Sequence, residues 1–399
     1  MAKIALLGYG TIGQGVAEVL RVNAASIAKR AGQEIEIKYI LDLREFPGDI
    51  NEDKVVHDYS VIENDPEVSV VVEMMGGIEP AYTFCKQALL AGKSVATSNK
   101  ALVIKHGAEL IKIAKENSLN FLFEASVGGG IPIIRPLISC LTADVVEEVT
   151  GILNGTTNYM MYQMTENGWE FDDILREAQA KGYAEADPTA DIEGHDACRK
   201  IAILTSLVCG KQVDFEEIHC EGITKISATD IKYAKAMGKK IKLLASSWLN
   251  GDKYTAMVSP VMLPPEHPLY NVDDVFNAVF VHGNMLDDAM FYGRGAGSLP
   301  TASAVAADIV DIVKHFGSHI AIEWAEEKVT LGDYKEAEFK YFVRAKASAV
   351  EAEAAFGPIA CIFIPGVTDE IAFVTESMSG AAYEEAAAKL DIINMIRMK

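Results

Sequence analysis

Over the first 130 residues, short apolar runs alternate with apolar positions at helical spacing. The run 3–7 leads into Gly8-Tyr9-Gly10-Thr11-Ile12-Gly13, after which Val16, Val19 and Leu20 recur as on one face of a helix. Residues 34–41 alternate in polarity and end at Asp42, and 68–73 is a continuous β-branched run that opens into Met74-Met75-Gly76-Gly77. An unbroken run of that kind suits a parallel strand covered on both faces. A helix is predicted over 81–91, a strand over 94–97 ending at Ser98-Asn99-Lys100, and a last short strand over 121–123 before the glycine-rich stretch 124–132. Strand and helix in strict alternation predict an α/β domain with a parallel sheet over residues 1–132.

From there the pattern changes. A strand over 145–153 ends in Asn154-Gly155-Thr156-Thr157-Asn158. A helix with Phe171, Ile174, Leu175 and Ala178 on one face then stops at Gly182. Strands at 240–249 and 253–263 flank Asn250-Gly251, a strong hairpin signal, and a further pair lies at 278–281 and 289–292. Strands that follow one another without helices between them predict an α+β domain with a mixed sheet over 133–320. The glycines of 293–297 introduce a helix near Thr301, expected to pack back onto the first domain. Residues 320–339 are acidic and read as a linker, and strand and helix patterns over 340–399 read as a small separate unit.

Composition narrows the function classes. At 399 residues, half of them hydrophobic, the chain can bury more than one core. Its net charge of −21 argues against nucleic acid or anionic membrane as partner. No stretch has the length of a membrane span, and the N-terminus enters a strand directly, so a cytoplasmic protein without a signal peptide is expected. The six cysteines show no C-x-x-C pair and the eight histidines no ligand spacing, which points away from zinc and disulfides and towards a reducing compartment.

Two groups of residues carry candidate chemistry. In the opening unit Gly8 permits a tight turn, Gly10 lets a pyrophosphate approach the backbone, and Gly13 allows close packing. Phosphates would rest on the helix N-terminus beside Thr11 and Ile12, where amide donors and the helix dipole favour negative charge. A lone G-x-G-x-x-G is a weak signal, but here a strand precedes it and a helix follows. The second group is GYAEADPTADIEGHDACRK, from Gly182 to Lys200. A loop bearing Glu185, Asp187 and Asp191 precedes a helix in which Asp196 and Lys200 stand four apart on one face, with Glu193 on that face too. An isolated D-x-x-x-K is more often a surface salt bridge. With the acidic loop before it, the array suits binding a small zwitterion and giving it a proton.

Six ordered motifs resemble the homoserine dehydrogenases: GYGTIGQGV at 8–16, EMMGGIEP at 73–80, TSNKALV at 97–103, EASVGGGIPIIRPL at 124–137, GILNGTTNY at 151–159 running on to the lysine segment, and GRGAGSLPTASAV at 293–305. The resemblance covers residues 1 to about 320. It implies reversible, NAD(P)-dependent reduction of L-aspartate 4-semialdehyde to L-homoserine, with Lys200 as proton donor and Lys100 as a second active-site lysine. Glu185 and Asp196 match residues that hold the amino acid, joined by Gly155, Thr156 and, facing the substrate or ordering its loop, Asp191. Around the cofactor it implies Gly8, Gly10, Thr11, Ile12, Gly13, Asp42, Arg44, Gly76, Thr97, Ser98, Lys100, Gly182 and Gly297. The 124–132 turn matches a monovalent-cation site, for Na+ for example, with Glu124 giving a carboxylate or carbonyl and Val127, Gly129 and Ile131 their carbonyls. A glycine hinge between domains is the other reading of that turn.

Three finer expectations follow. Asp42 with Leu41 and Glu45 in place of basic residues favours NAD over NADP, Arg44 being the one cation nearby. The C-terminal ending resembles half of an ACT domain, the ferredoxin-like effector module. Ser348-Ala349-Val350-Glu351 stands where its first turn would be, before a short helix, so a degenerate remnant serving packing or oligomerisation is expected, with threonine feedback weak or absent. A homo-oligomer, dimer or tetramer, is expected. The rival readings are a dehydrogenase for another amino-acid semialdehyde and a non-catalytic dinucleotide-binding sensor. The joint presence of Lys100, Lys200, Glu185 and Asp196 counts against the sensor.

Overall fold

The computed structural model describes all 399 residues, which divide into two compact units. The first comprises Met1–Asp144, Ala202–Val213 and Gly293–Val329, and the second Val145–Ile201, Asp214–Tyr292 and Thr330–Lys399. The division expected at residue 132 thus lies inside the first unit, and the chain alternates between units.

The first unit is built on six parallel strands: β1 (Ala2–Leu7), β2 (Ile35–Leu41), β3 (Val55–Val56), β4 (Val68–Glu73), β5 (Ser94–Thr97) and β6 (Phe121–Leu122). Their order, β3-β2-β1-β4-β5-β6, is that of the Rossmann sheet. β1 and β4 are almost wholly buried, as unbroken apolar runs should be. Register decides the rest: Leu7 pairs with Leu41 and with Glu73, and Glu73 with Thr97. Four strands therefore end level, and Gly8, Asp42, Met74 and Ser98 emerge together at the carboxyl edge.

The helix Ser298–Lys314 lies in this unit against Thr11–Val22. Ser298 Oγ donates to the Thr11 carbonyl at 2.8 Å, and a Cβ on Gly15 would sit 2.8 Å from that same oxygen. Residues 320–339 are not a plain linker. Ala325–Lys328 pairs with Lys211–Gln212, and buried Trp324 packs edge-on against Phe123 while its Nε1 donates to Gln212 Oε1 at 2.9 Å. Buried Ile322 and Trp324 alternate with exposed Ala321, Glu323 and Ala325, so a period of two runs through this stretch.

The second unit carries an eleven-stranded mixed sheet. At its centre is the hairpin Lys240–Asn250 and Lys253–Leu263, whose turn residues are Gly251 and Asp252, since Asn250 pairs with Lys253. Gly251 has φ +64°, which explains the glycine there. Val146–Ile152 and Phe276–Gly283 extend the sheet on one side. A helix that the sequence pattern did not announce, Gly155–Asn167, follows Asn154, whose side chain caps it.

On the other side of the hairpin the C-terminal residues complete the sheet, which corrects the expectation of a separate unit. Glu338–Lys346, Ala349–Phe356, Ile359–Ile362, Ile371–Thr375, Gly380–Ala387 and Asp391–Met398 follow in β-α-β-β-α-β order, a split βαβ arrangement. They have a core of their own around Tyr341, Phe356, Phe373 and Tyr383. The last strand also pairs in parallel with the hairpin, Val261 with Arg397 and Met262 with Met398. Ser348 and Glu351 form a reciprocal capping box that starts Ala349–Phe356.

Candidate active site

In the first unit the glycine turn has the form its spacing suggested. Gly8 adopts φ +93° with Met74 backbone atoms 3.1 Å from where a Cβ would be, and a Cβ on Gly13 would meet the Gly8 carbonyl at 2.2 Å. Gly13 therefore packs on the turn itself. Around Gly10 there is open space, and as N-cap it leaves the amides of the Thr11–Val22 helix without a side-chain cap. Beside it Gly8, Gly10, Asp42, Met74 and Gly76 line a cavity of about 570 Å³. Open backbone donors at a helix N-terminus beside such a cavity fit a dinucleotide.

Asp42 is more constrained than its position in sequence suggested. Its Oδ2 accepts from Tyr9 N at 2.8 Å, and its Oδ1 from Arg44 N and Nε, both at 3.0 Å. The Arg44 guanidinium holds the Asp42 carboxyl well below the usual carboxylate range and lies over the Phe46 ring. His57, which the sequence did not single out, bonds Asp42 O through Nδ1 and Glu45 through Nε2 and also lines the cavity.

Glu73 organises the next two loops, a role with no periodic trace. Fully buried, it accepts from Met75 N at 2.8 Å and Thr97 Oγ1 at 2.6 Å, and burial pushes its carboxyl up. The Thr97 hydroxyl thus faces inward. Asn99 caps the helix Lys100–Glu116 by accepting from Leu102 N at 3.1 Å, while its Nδ2 donates to the Gly77 carbonyl. Lys100 is placed on the first turn of that helix, one residue beyond Ser98-Asn99 at the sheet's carboxyl edge. Gly297, φ +115°, begins the helix that packs on Thr11–Val22.

The turn at 124–131 uses its carboxylate for the protein. Glu124 Oε1 accepts from Ile133 N and Ile134 N at 2.7 and 2.9 Å, and Oε2 from Arg135 N at 2.7 Å. Both carboxylate oxygens are thereby directed at backbone amides. Gly129, φ +56°, has no room for a side chain, since a Cβ would lie 2.3 Å from Gly295 O. Behind the turn Asp308 accepts from Glu124 N at 2.9 Å and from Arg135 at 2.6 Å, and burial raises its carboxyl well above its ordinary value.

The second unit holds the lysine cluster. Lys200 Nζ donates to Leu153 O at 2.7 Å and pairs with Asp196 Oδ2 at 2.9 Å, and both side chains are largely buried. Asn154 Nδ2 donates to Asp191 Oδ1 at 2.7 Å and Asp196 Oδ2 at 3.0 Å. One amide therefore joins Asp191, Asp196 and Lys200 into a single array. Thr156 Oγ1 ties the adjoining loop by donating to Tyr183 O at 2.6 Å, and a Cβ on Gly155 would meet Val275 O at 2.9 Å. Asp187 accepts from Thr189 N and Oγ1 and so orders the short helix Thr189–Ile192.

Other members of the segment lie outside this array. Glu185 is exposed, its carbonyl accepting from Gln179 Nε2 at 3.1 Å. Gly182, φ +74°, ends the helix Phe171–Ala180. Glu193 does not share a helix face with Asp196 and Lys200, because Gly194, φ +82°, breaks the chain before the helix His195–Cys209 begins. Its carbonyl instead accepts from Cys220 Sγ.

The first unit carries a glycine-turn cradle and the second a buried lysine–carboxylate array, and comparison with known proteins gives the chain a family. Residues 8–124 match the model for the NAD-binding domain of homoserine dehydrogenase, and 132–310 the homoserine dehydrogenase model itself. A homoserine dehydrogenase from Neisseria gonorrhoeae is 37% identical over all of this chain and 98% of its own length. The crystal structure of a homoserine dehydrogenase from Thiobacillus denitrificans superposes with a TM-score of 0.92 at 34% identity, covering 100% of this chain and 98% of that one. A hyperthermophilic archaeal homoserine dehydrogenase in complex with NADPH gives 0.67 at 28% identity over 78% of this chain and 97% of its own. With identity of this order sustained along the whole sequence, the chain belongs to the homoserine dehydrogenase family, NAD(P)-dependent oxidoreductases that act on CH–OH groups.

Proposed function

We propose that Lys200 is the proton donor in the reversible reduction of L-aspartate 4-semialdehyde to L-homoserine. The observation that carries this reading is the ammonium group held between Leu153 O and Asp196. When bound, the reduced nicotinamide supplies the hydride. As negative charge develops on the carbonyl oxygen, Lys200 offers both compensating charge and a proton. Asp196, Asp191 and the exposed Glu185 present carboxylates to the substrate α-ammonium group, Gly155 and Thr156 line the same pocket, and Lys100 serves as the second lysine. An assay of nicotinamide oxidation with aspartate semialdehyde against shorter and longer aldehydes tests the assignment; faster turnover of another chain length would replace it.

Asp42 supports NAD as the preferred cofactor. Its carboxylate, kept ionised by Arg44, attracts a ribose hydroxyl and repels a 2′-phosphate. Arg44 is already committed to Asp42, so a phosphate would have to draw it away. We expect higher kcat/KM with NAD than with NADP, and equal or better efficiency with NADP rejects this. The carbonyls of Glu124, Val127, Gly129 and Ile131 suit a monovalent cation such as Na+, and the enzyme is read as a cytoplasmic homo-oligomer, dimer or tetramer.

The C-terminal β-α-β-β-α-β segment is read as an ACT-like module serving packing or oligomerisation. Ser348 and Glu351 use donors at the N-terminus of Ala349–Phe356 for their own cap, which leaves fewer for a free amino acid. Threonine is therefore expected to inhibit weakly or not at all. Strong inhibition at low millimolar threonine, lost in an active enzyme lacking residues 340–399, contradicts this.

A further inference from the structure

The two residues that follow the strand Val146–Ile152 meet both partners of the buried ion pair. Leu153 gives its carbonyl to Lys200 Nζ at 2.7 Å, and Asn154 gives its amide to Asp196 Oδ2 at 3.0 Å and to Asp191 Oδ1 at 2.7 Å. Asp196 Oδ2 is also the oxygen paired with Lys200 at 2.9 Å, so it stands between amide and ammonium. The Asn154 amide is held in one orientation. Its Oδ1 accepts from Thr157 N at 2.9 Å and from Thr157 Oγ1 at 3.0 Å, and the N–H of Thr157 has no use for an NH₂ group. With the oxygen fixed there, both N–H donors must face the carboxylates. Asn154 and Asp196 are 6% and 5% exposed, so bulk water does not replace these bonds readily.

Two carboxylates brought to one amide repel each other, and each takes one of its protons. Without those donors Asp196 loses a hydrogen bond that helps to hold its carboxylate in place beside the Lys200 ammonium group. We propose that Asn154 is a positioning residue: its locked amide sets Asp191 and Asp196 and, through Asp196, aims the Lys200 proton. The inference rests on the reading of Lys200 as proton donor. Asn154 itself need not touch substrate.

Asn154→Ser separates this role from helix capping. Serine caps as well as asparagine and is neutral, but it cannot bridge the two carboxylates. It should fold and bind cofactor like the wild type while kcat falls roughly 10- to 100-fold, the effect of lost hydrogen bonds to charged groups. Asn154→Asp keeps shape and cap but replaces the donors with a third carboxylate. Its kcat should fall at least as far. The high-pH limb of the kcat profile should move upward, because added negative charge beside the array favours its protonated forms. A residue of purely structural importance would lower the denaturation midpoint without moving that limb. If the wild type reduces aspartate semialdehyde and Lys200→Ala does not, an Asn154→Ser enzyme with wild-type kcat and an unmoved limb in Asn154→Asp overturn the positioning role alone. A wild type inactive on the semialdehyde overturns this proposal together with the proposed function.

Discussion

Turnover by Lys200→Ala is expected to fall by about 10²-fold or more while cofactor affinity stays near that of the wild type. The substitution removes the proton and the positive charge from the place where the carbonyl oxygen becomes negative. It leaves the Gly8–Gly13 cradle untouched, since that turn belongs to the other compact unit. Lys200→Arg sharpens the test. Arginine retains a positive charge for Asp196, yet a guanidinium does not release its proton at any working pH. Both variants should therefore be slow, and arginine should not restore what alanine loses. Single-turnover measurements on folded protein, with cofactor binding followed by fluorescence, provide the check. Near-normal turnover in either variant removes Lys200 from the proposed role.

Loss of Arg344 should produce the largest change in stability. Its Nη1 donates to Asp230 Oδ1 at 2.8 Å and Ser227 Oγ at 3.0 Å, while Nε and Nη2 form a bidentate pair with Glu370, both at 2.7 Å. Asp230 is fully buried, and Asn394 Nδ2 completes its shell at 2.9 Å. The cluster thus joins the first and last strands of the C-terminal segment to the helix Ala228–Ala236. Arg344→Met would leave a buried carboxylate without its cation, at a cost of about 3–5 kcal/mol. An unchanged urea midpoint for Arg344→Met would reject the account. Because the segment is continuous with the catalytic unit's sheet, the variant should also lose activity at temperatures where the wild type is stable.

The contrast between Lys200 and Asn154 shows what could be read along the chain. Asp196 and Lys200 are four residues apart, and helical geometry alone brings them together. Asn154 lies 42 residues before Asp196, inside Asn154-Gly155-Thr156-Thr157-Asn158, which reads equally well as a loop. That it begins a helix follows from its cap to Thr157, which the apolar pattern did not announce, as it did not announce the Ser348–Glu351 box. That its amide faces two aspartates was not legible. The Glu124 carboxylate was illegible for the same reason: only the fold turns the Ile133, Ile134 and Arg135 amides towards it.

Sequence by itself determined the parallel sheet, the cradle turn, the central hairpin and the membership of the family. Each is written in short-range terms: a β-branched run, glycines at fixed intervals, a two-residue turn, a D-x-x-x-K step, all of which backbone geometry converts directly into shape. Tertiary structure alone decided that residues 202–213 and 293–329 return to the first unit, that Trp324 is buried in a stretch resembling a linker, and that Arg344 meets Asp230 across 114 positions. Such pairings are chosen by which surfaces the packed elements bring into register and by the need of buried charges for partners. Neither leaves a period along the chain.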